Sequence, residues 1–198
     1  NLEDFHYQKF VVDRLLYGQD WIESSEGTPW MKDMLARAKK IFSDLSIVEA
    51  CHEEYWNIVK WKLIHPLESS SKELQNPNRR SIYGSTPLHY AVAAREVFVV
   101  QKLIEAGADV NAQNIKEDTP LHDAVRTGDV FLVQKLIEAE ANVNAQNVHR
   151  DTPLHNAARA GEASLVQKLI EAGADVGAIN VCGYTPLGEA VESNNVEI

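Results

Sequence analysis

An all-α fold, a solenoid of stacked helix pairs preceded by a small helical bundle, is predicted by three observations. Thr-Pro-Leu recurs at Thr86, Thr119, Thr152 and Thr185, each 33 residues from the last. Val-Gln-Lys-Leu-Ile-Glu-Ala recurs at the same interval from Val100, Val133 and Val166. The tryptophans Trp21, Trp30, Trp56 and Trp61 all precede the first repeat, so two kinds of sequence share the chain. A fixed period of this length marks stacked units, because one helix pair cannot bury its apolar face alone.

Within each unit the local chemistry specifies two helices. Thr ahead of Pro is a helix start, with the hydroxyl free to cap and Pro at the first helical position, where its missing N–H costs nothing. Gly128 and Gly161 permit the turn into a second helix, on which Val133, Leu136 and Ile137, then Val166, Leu169 and Ile170, stand at helical spacing. Gly107 and Gly173 end that helix, and the residues that follow suit a turn. Helices are therefore predicted over about 86–94 and 97–106, 119–127 and 130–139, and 152–160 and 163–172.

The first eighty residues show no such echo. A helix over about 2–17 carries Phe5, Val12, Leu15 and Leu16. Thr28-Pro29 opens another, with Met31, Met34, Leu35, Ala38, Ile41, Phe42 and Leu45 on one face. Ser46 and Glu49 form a capping box ahead of Val48, Cys51, Tyr55, Trp56, Val59 and Leu63, which predicts one helix over 47–64. Such a bundle is marginal alone and is expected to dock on the first unit, covering Leu88, Val92, Val99 and Leu103. The polar, Pro-broken stretch that follows divides the chain into 1–77 and 78–198, with units beginning near 81, 114, 147 and 180.

Charge bounds the function. With 19 basic and 29 acidic residues the chain carries −10 and a pI of about 5.1, which argues against nucleic acid and anionic membranes as partners. No apolar run reaches the roughly 18 residues of a spanning helix. Residues 1–80 hold 11 basic and 13 acidic side chains, net −2; residues 81–198 hold 8 and 16, net −8. The repeats carry the acidity, on a solvated face or as steering toward a basic partner. Cys51 and Cys182, far apart in unlike sequence, read as reduced thiols in a cytoplasmic setting. The fourth unit stops at Ile198 inside the pattern, so further units or a cap are expected to follow.

These units resemble ankyrin repeats. The family's Thr-Pro-Leu-His-x-Ala motif stands at Thr86-Pro87-Leu88-His89-Tyr90-Ala91, Thr119-Pro120-Leu121-His122-Asp123-Ala124 and Thr152-Pro153-Leu154-His155-Asn156-Ala157. There are departures. Glu117 and Arg150 replace the hairpin glycine kept as Gly84 and Gly183, which puts the tight turn in doubt. Arg95 and Asn194 replace the glycine between helices, Glu140 replaces the one that ends the second helix, and Gly188 replaces the motif His. The second unit is therefore expected to be the least regular at Glu140. The resemblance implies hydrogen bonding between neighbouring units for His89, His122 and His155.

It also implies a binding surface at the hairpin tips and first helices, for a protein partner and without cofactor or metal, the chain itself being expected as a monomer. The positions are Tyr83, Tyr90, Lys116, Asp123, Arg126, His149, Asn156, Arg159, Tyr184 and Glu189, with Ile82, Ile115, Val148 and Val181 beside them. The tyrosines suit contact anchors, and Arg126 with Arg159 suits a basic ridge toward partner carboxylates. Leu103, Asp109, Val110 and Asn111 resemble a substrate of the asparaginyl hydroxylase that acts on such hairpins; Asn144 follows without the acidic residue, and Gly177 removes the target. The alternative for Asn111 and Asn144 is service to their own turns.

Enzyme chemistry finds little support. Cys51-His52-Glu53-Glu54 points in four directions on a helix, Trp56 occupies the second His position of a zincin motif, and there is no phosphate loop or nucleophile elbow. The resemblance implies neighbouring units about 10 Å apart, too far for the recurring histidines to share a zinc that holds ligands at about 2 Å. A non-enzymatic interaction module or scaffold is the expected function. Two alternatives remain. One is an adaptor or bacterial effector acting in a host cytosol, since such units resemble those of intracellular bacteria and Ile41-Phe42-Ser43-Asp44-Leu45 with Trp56 and Trp61 faintly resembles an F-box. The other is the non-catalytic part of a larger enzyme or toxin.

Overall fold

The computed structural model describes residues 46–52, 56–64 and 76–193, together with helical, solvent-exposed positions at Pro29, Lys32, Asp33 and Ala36. The helix expected over 2–17, and the apolar face expected in 31–45, lie outside the described residues.

Where one helix is predicted over 47–64 there are two, α1 (Ile47–His52) and α2 (Trp56–Ile64), packed on each other. The capping box is present: the Ser46 N–H donates to Glu49 Oε2 at 3.0 Å and the Glu49 N–H to Ser46 Oγ at 3.2 Å. Stacking overrides the single-helix periodicity. Ala50 and Val59 would face opposite ways on one continuous helix, yet both are fully buried in one core. That burial follows from docking, because α1 packs on the first helix of the next unit and α2 on its second. Lys60 Nζ adds an ion pair to Glu96 at 2.9 Å.

The repeats follow as α3 (Pro87–Ala93) and α4 (Val97–Glu105), α5 (Pro120–Thr127) and α6 (Val130–Glu138), α7 (Pro153–Ala160) and α8 (Ala163–Glu171), then α9 (Pro186–Glu192). Their ends agree with the predicted ranges to within one residue. Helices α1, α3, α5, α7 and α9 pack in one row, each on the next, and the second helices lie behind them. The row buries a continuous core: Leu88, Leu103, Leu121, Leu132, Leu136, Leu154, Leu165 and Leu169 are all essentially inaccessible, and Ile47, Cys51 and Val59 belong to the same cluster. Burial also pushes the Cys51 thiol far above its ordinary pKa, so it is an inert packing group.

Of the five departures from glycine, Asn194 lies outside the described residues and the other four leave the backbone unchanged. Arg95, Glu117, Glu140 and Arg150 adopt φ of 57°, 58°, 65° and 56°, the left-handed conformation of Gly128, Gly84, Gly107 and Gly183 at equivalent positions. The doubt about the hairpin turns is thereby removed, and the expected irregularity at Glu140 is corrected. The Ala141 N–H bonds Leu136 O at 3.0 Å just as Ala108 N–H bonds Leu103 O at 2.9 Å. Flanking bonds of this kind hold a conformation that costs an L-residue about 1 kcal/mol. At the far end of the array the exposed Ile170, Val176 and Leu187 line an open apolar cleft, and Val191 is exposed as well.

Candidate functional site

Polar side chains of the repeats divide between seams, where one unit meets the next, and hairpin tips. At each seam a histidine spans two units. Thr86, Thr119 and Thr152 cap their helices and donate backbone N–H to Nδ1 of His89, His122 and His155 at 3.1, 3.1 and 3.2 Å. An N–H can only donate, so Nδ1 is unprotonated and Nε2 carries the proton. Nε2 then donates to the carbonyls of Asp118, Asp151 and Tyr184 in the following unit, at 3.0, 3.1 and 3.1 Å. Both ring nitrogens are occupied, which is the inter-unit role expected for them. Burial lowers the pKa of His89 and His122, outweighing the backbone carbonyls that favour the charged form.

Asparagines form a second seam. The Asn111 amide donates to Glu140 O at 3.3 Å and its Oδ1 accepts the Asn142 N–H at 2.7 Å; Asn144 repeats this with Gly173 O at 3.1 Å and Asp175 N–H at 2.7 Å. The partners lie in the next unit, which corrects the expectation that these side chains serve their own turns. Asn78 makes the same pair of bonds, to Gly107 O at 3.1 Å and from Asp109 N–H at 2.7 Å. It stands 33 residues before Asn111, so the period reaches back past the expected first unit, where no Thr-Pro-Leu marks it.

The expected basic ridge is occupied from within. Arg126 pairs with the buried Asp118 at 3.0 Å and also with Asp123. Arg159 pairs with the buried Asp151 at 2.7 Å and crosses to Glu189 of the next unit at 2.9 Å. Asn147 and Asn180 tie the same aspartates across the seams, at 2.9 and 2.8 Å. Glu189, 8% exposed, also accepts from Asn180, and the Arg159 guanidinium is the first cause holding its carboxyl below the usual range. Asp123 behaves oppositely: burial raises its pKa to about 6 despite the attraction of Arg126. Asn156 is buried, with Oδ1 accepting from Arg159 at 3.2 Å and Nδ2 lacking an acceptor. Arg126, Asp123, Asn156, Arg159 and Glu189 are thus engaged with their own array, because the carboxylates sit three or eight residues before, or thirty after, the arginines they meet.

The tips differ. Ile115 N–H donates to Tyr83 O at 3.1 Å, Val148 N–H to Lys116 O at 3.0 Å and Val181 N–H to His149 O at 2.9 Å, which pins successive hairpins in line. The side chains of Tyr83, Lys116, His149 and Tyr184 remain exposed. Tyr90 is half-buried: its hydroxyl donates to Ser81 Oγ at 3.0 Å, and it meets the His52 ring edge-on while Tyr83 stacks on the same ring.

The family model described as ankyrin repeats, three copies, matches residues 47–147 and, in a second match, 121–198. The chain belongs to the ankyrin-repeat family. Comparison with curated proteins gives no match. The ankyrin match begins at Ile47, so it takes in α1 and α2 as well as the repeats carrying the Thr-Pro-Leu-His motif. No ankyrin motif marks those helices in the sequence. Ser46 and Glu49 do there what Thr and His do in the ankyrin units, and the buried Lys62 holds the seventh position of its helix, as Leu103 does in α4. Ankyrin repeats are protein interaction modules, and among the described residues no helix is long and apolar enough to cross a membrane.

Proposed function

We propose that the chain is a protein-binding module that holds its partner against the hairpin tips and the adjoining side of the first helices, without catalysis of its own. One contrast supports this reading. The seam residues are engaged in bonds between units, whereas Tyr83, Lys116, His149 and Tyr184 are exposed and their side chains make no hydrogen bond within the array. Exposed side chains on a rigid scaffold are where binding function concentrates. Helices α1 and α2 serve as the first layer of the stack and cover the apolar side of α3 and α4.

The test is affinity capture with the wild type beside a Tyr83→Ser, Lys116→Ala, His149→Ala variant. A partner held by the wild type and lost from the variant, at an unchanged melting midpoint, supports the assignment; capture at full yield by the variant removes it. Hydroxylation of Asn111 and Asn144 is proposed only as secondary, because each amide must first release the neighbouring unit. Mass spectrometry after expression in animal cells decides it. An unmodified Asn111 peptide beside a modified control substrate ends that idea.

A further inference from the structure

The repeats from residue 81 onward hold eight lysines and arginines. Six have engaged side chains: Arg95 on Thr127 O, Lys102 with Glu105, Lys135 with Glu138, Lys168 on Gln134 Oε1, and Arg126 and Arg159 in their carboxylate clusters. Lys116 and Arg150 have exposed side chains that make no hydrogen bond or ion pair, and both stand on hairpin tips. They flank a row of aliphatic side chains, one per tip: Ile82, Ile115, Val148 and Val181 are 88, 65, 46 and 58% exposed. The tip-to-tip backbone bonds set these four in register along the array.

We propose, building on the binding reading above, that this row receives an extended acidic segment of a partner protein with an aliphatic residue at every third position. The pitch selects the conformation. Packed helices lie about 8–10 Å apart, and a polyproline II segment advances about 9.3 Å per three-residue turn, returning every third side chain to the same face. A β-strand covers a similar distance in three residues but turns the third side chain to the opposite face. An α-helix meets the spacing only at every seventh residue, about 10.5 Å along. The unengaged charges select the composition. Lys116 and Arg150 lie beside the central two aliphatics and are complemented by partner carboxylates, whereas a basic segment would meet like charge there.

The test uses the full 198-residue chain and fluorescence anisotropy with four labelled peptides. The first is four repeats of Val-Glu-Pro, and the second has the same residues shuffled so that no two valines lie three apart. The third carries Lys for Glu, and the fourth is an acidic helical peptide with Leu at every seventh position. The first should bind at least about tenfold more tightly than the others, a difference of about 1.4 kcal/mol. Charge reversal by Lys116→Glu with Arg150→Glu, and separately Ile115→Ser with Val148→Ser, should each weaken it at least about fivefold while circular dichroism and the urea midpoint stay unchanged. Equal binding of the shuffled, basic or helical peptide overturns the proposal, as does absence of binding by all four. If a captured protein still depends on Tyr83, Lys116 and His149 while no peptide binds, the binding-module reading stands and this inference alone falls.

Discussion

Arg126 and Arg159 on one side, and Lys116 and Arg150 on the other, are cations of the same two repeats with opposite circumstances. The first pair stands on first helices beside buried aspartates, and each guanidinium is shared by two carboxylates of its own chain. The second pair stands on hairpin tips with nothing to bond. Position relative to the seam, rather than residue type, separates charge engaged within the stack from charge left exposed. Even the two clusters are unequal, since Arg159 reaches Glu189 in the following unit while the position equivalent to Glu189 beyond Arg126 is Asn156.

The largest effect should come from the seam histidines. His122→Ala removes the imidazole's bonds to the Thr119 N–H and hydroxyl and to the Asp151 carbonyl, which loses that donor, so urea unfolding should register a loss of about 2–4 kcal/mol. If His122→Ala were silent, the seam would not hold the stack. Next, Arg159→Ala leaves two nearly buried carboxylates and cuts a tie between units. With the arginine itself partly exposed, the cost is about 1–3 kcal/mol. Arg126→Ala should cost less, and the reverse order would show that crossing the seam confers nothing.

Asp123 sharpens the comparison through pH. Its folded pKa, about 6, lies above the unfolded carboxylate value, so its protonation below about pH 6 favours the folded state. The lowered pKa of His89 and His122 acts in the other direction: their contribution is present above the unfolded value of about 6.5 and is lost as pH falls. Asp123→Asn should therefore gain about 1 kcal/mol at pH 7 and lose stability more steeply between about pH 6 and 4. Parallel pH profiles of wild type and variant would refute the assignment.

A smaller effect concerns the hairpin turns. Glu117→Gly should stabilise by about 0.5–1 kcal/mol, relief of the left-handed strain exceeding the added chain entropy. Gly84→Ala should destabilise, since a Cβ there would meet Ile115 N at 3.0 Å and Gly84 sits at φ 70°. Thermal melts that move the two variants the same way would show that the turns are not equivalent.

Much of this was legible in the sequence, and the exceptions share a cause. Thr-Pro-Leu at a fixed interval placed the starts of α3, α5, α7 and α9 to within a residue, because capping and the proline rule act within four residues of chain, and the second repeated segment with its flanking glycines placed α4, α6 and α8. The capping box placed the start of α1, but the division into a helix pair was illegible. Its capping residue is Glu49 instead of His, it lacks the proline, and Lys62 stands among core residues, so only stacking on α3 and α4 defines it. The arginine clusters were hidden likewise, for nothing local to Arg159 announces that Asp151 and Glu189 converge on it across a seam. Glycine marks a left-handed position, but Arg95, Glu117, Glu140 and Arg150 show that surrounding bonds impose the same geometry without it.

The most direct measurement compares two double variants by urea unfolding. Arg126→Ala with Arg159→Ala should lower stability by about 2–4 kcal/mol, whereas Lys116→Ala with Arg150→Ala should stay within about 0.5 kcal/mol of the wild type, as exposed unpaired side chains do. Equal losses in the two, or a tip variant less stable than the seam variant, would contradict the division of the repeats into seams that hold the stack and tips left free to bind.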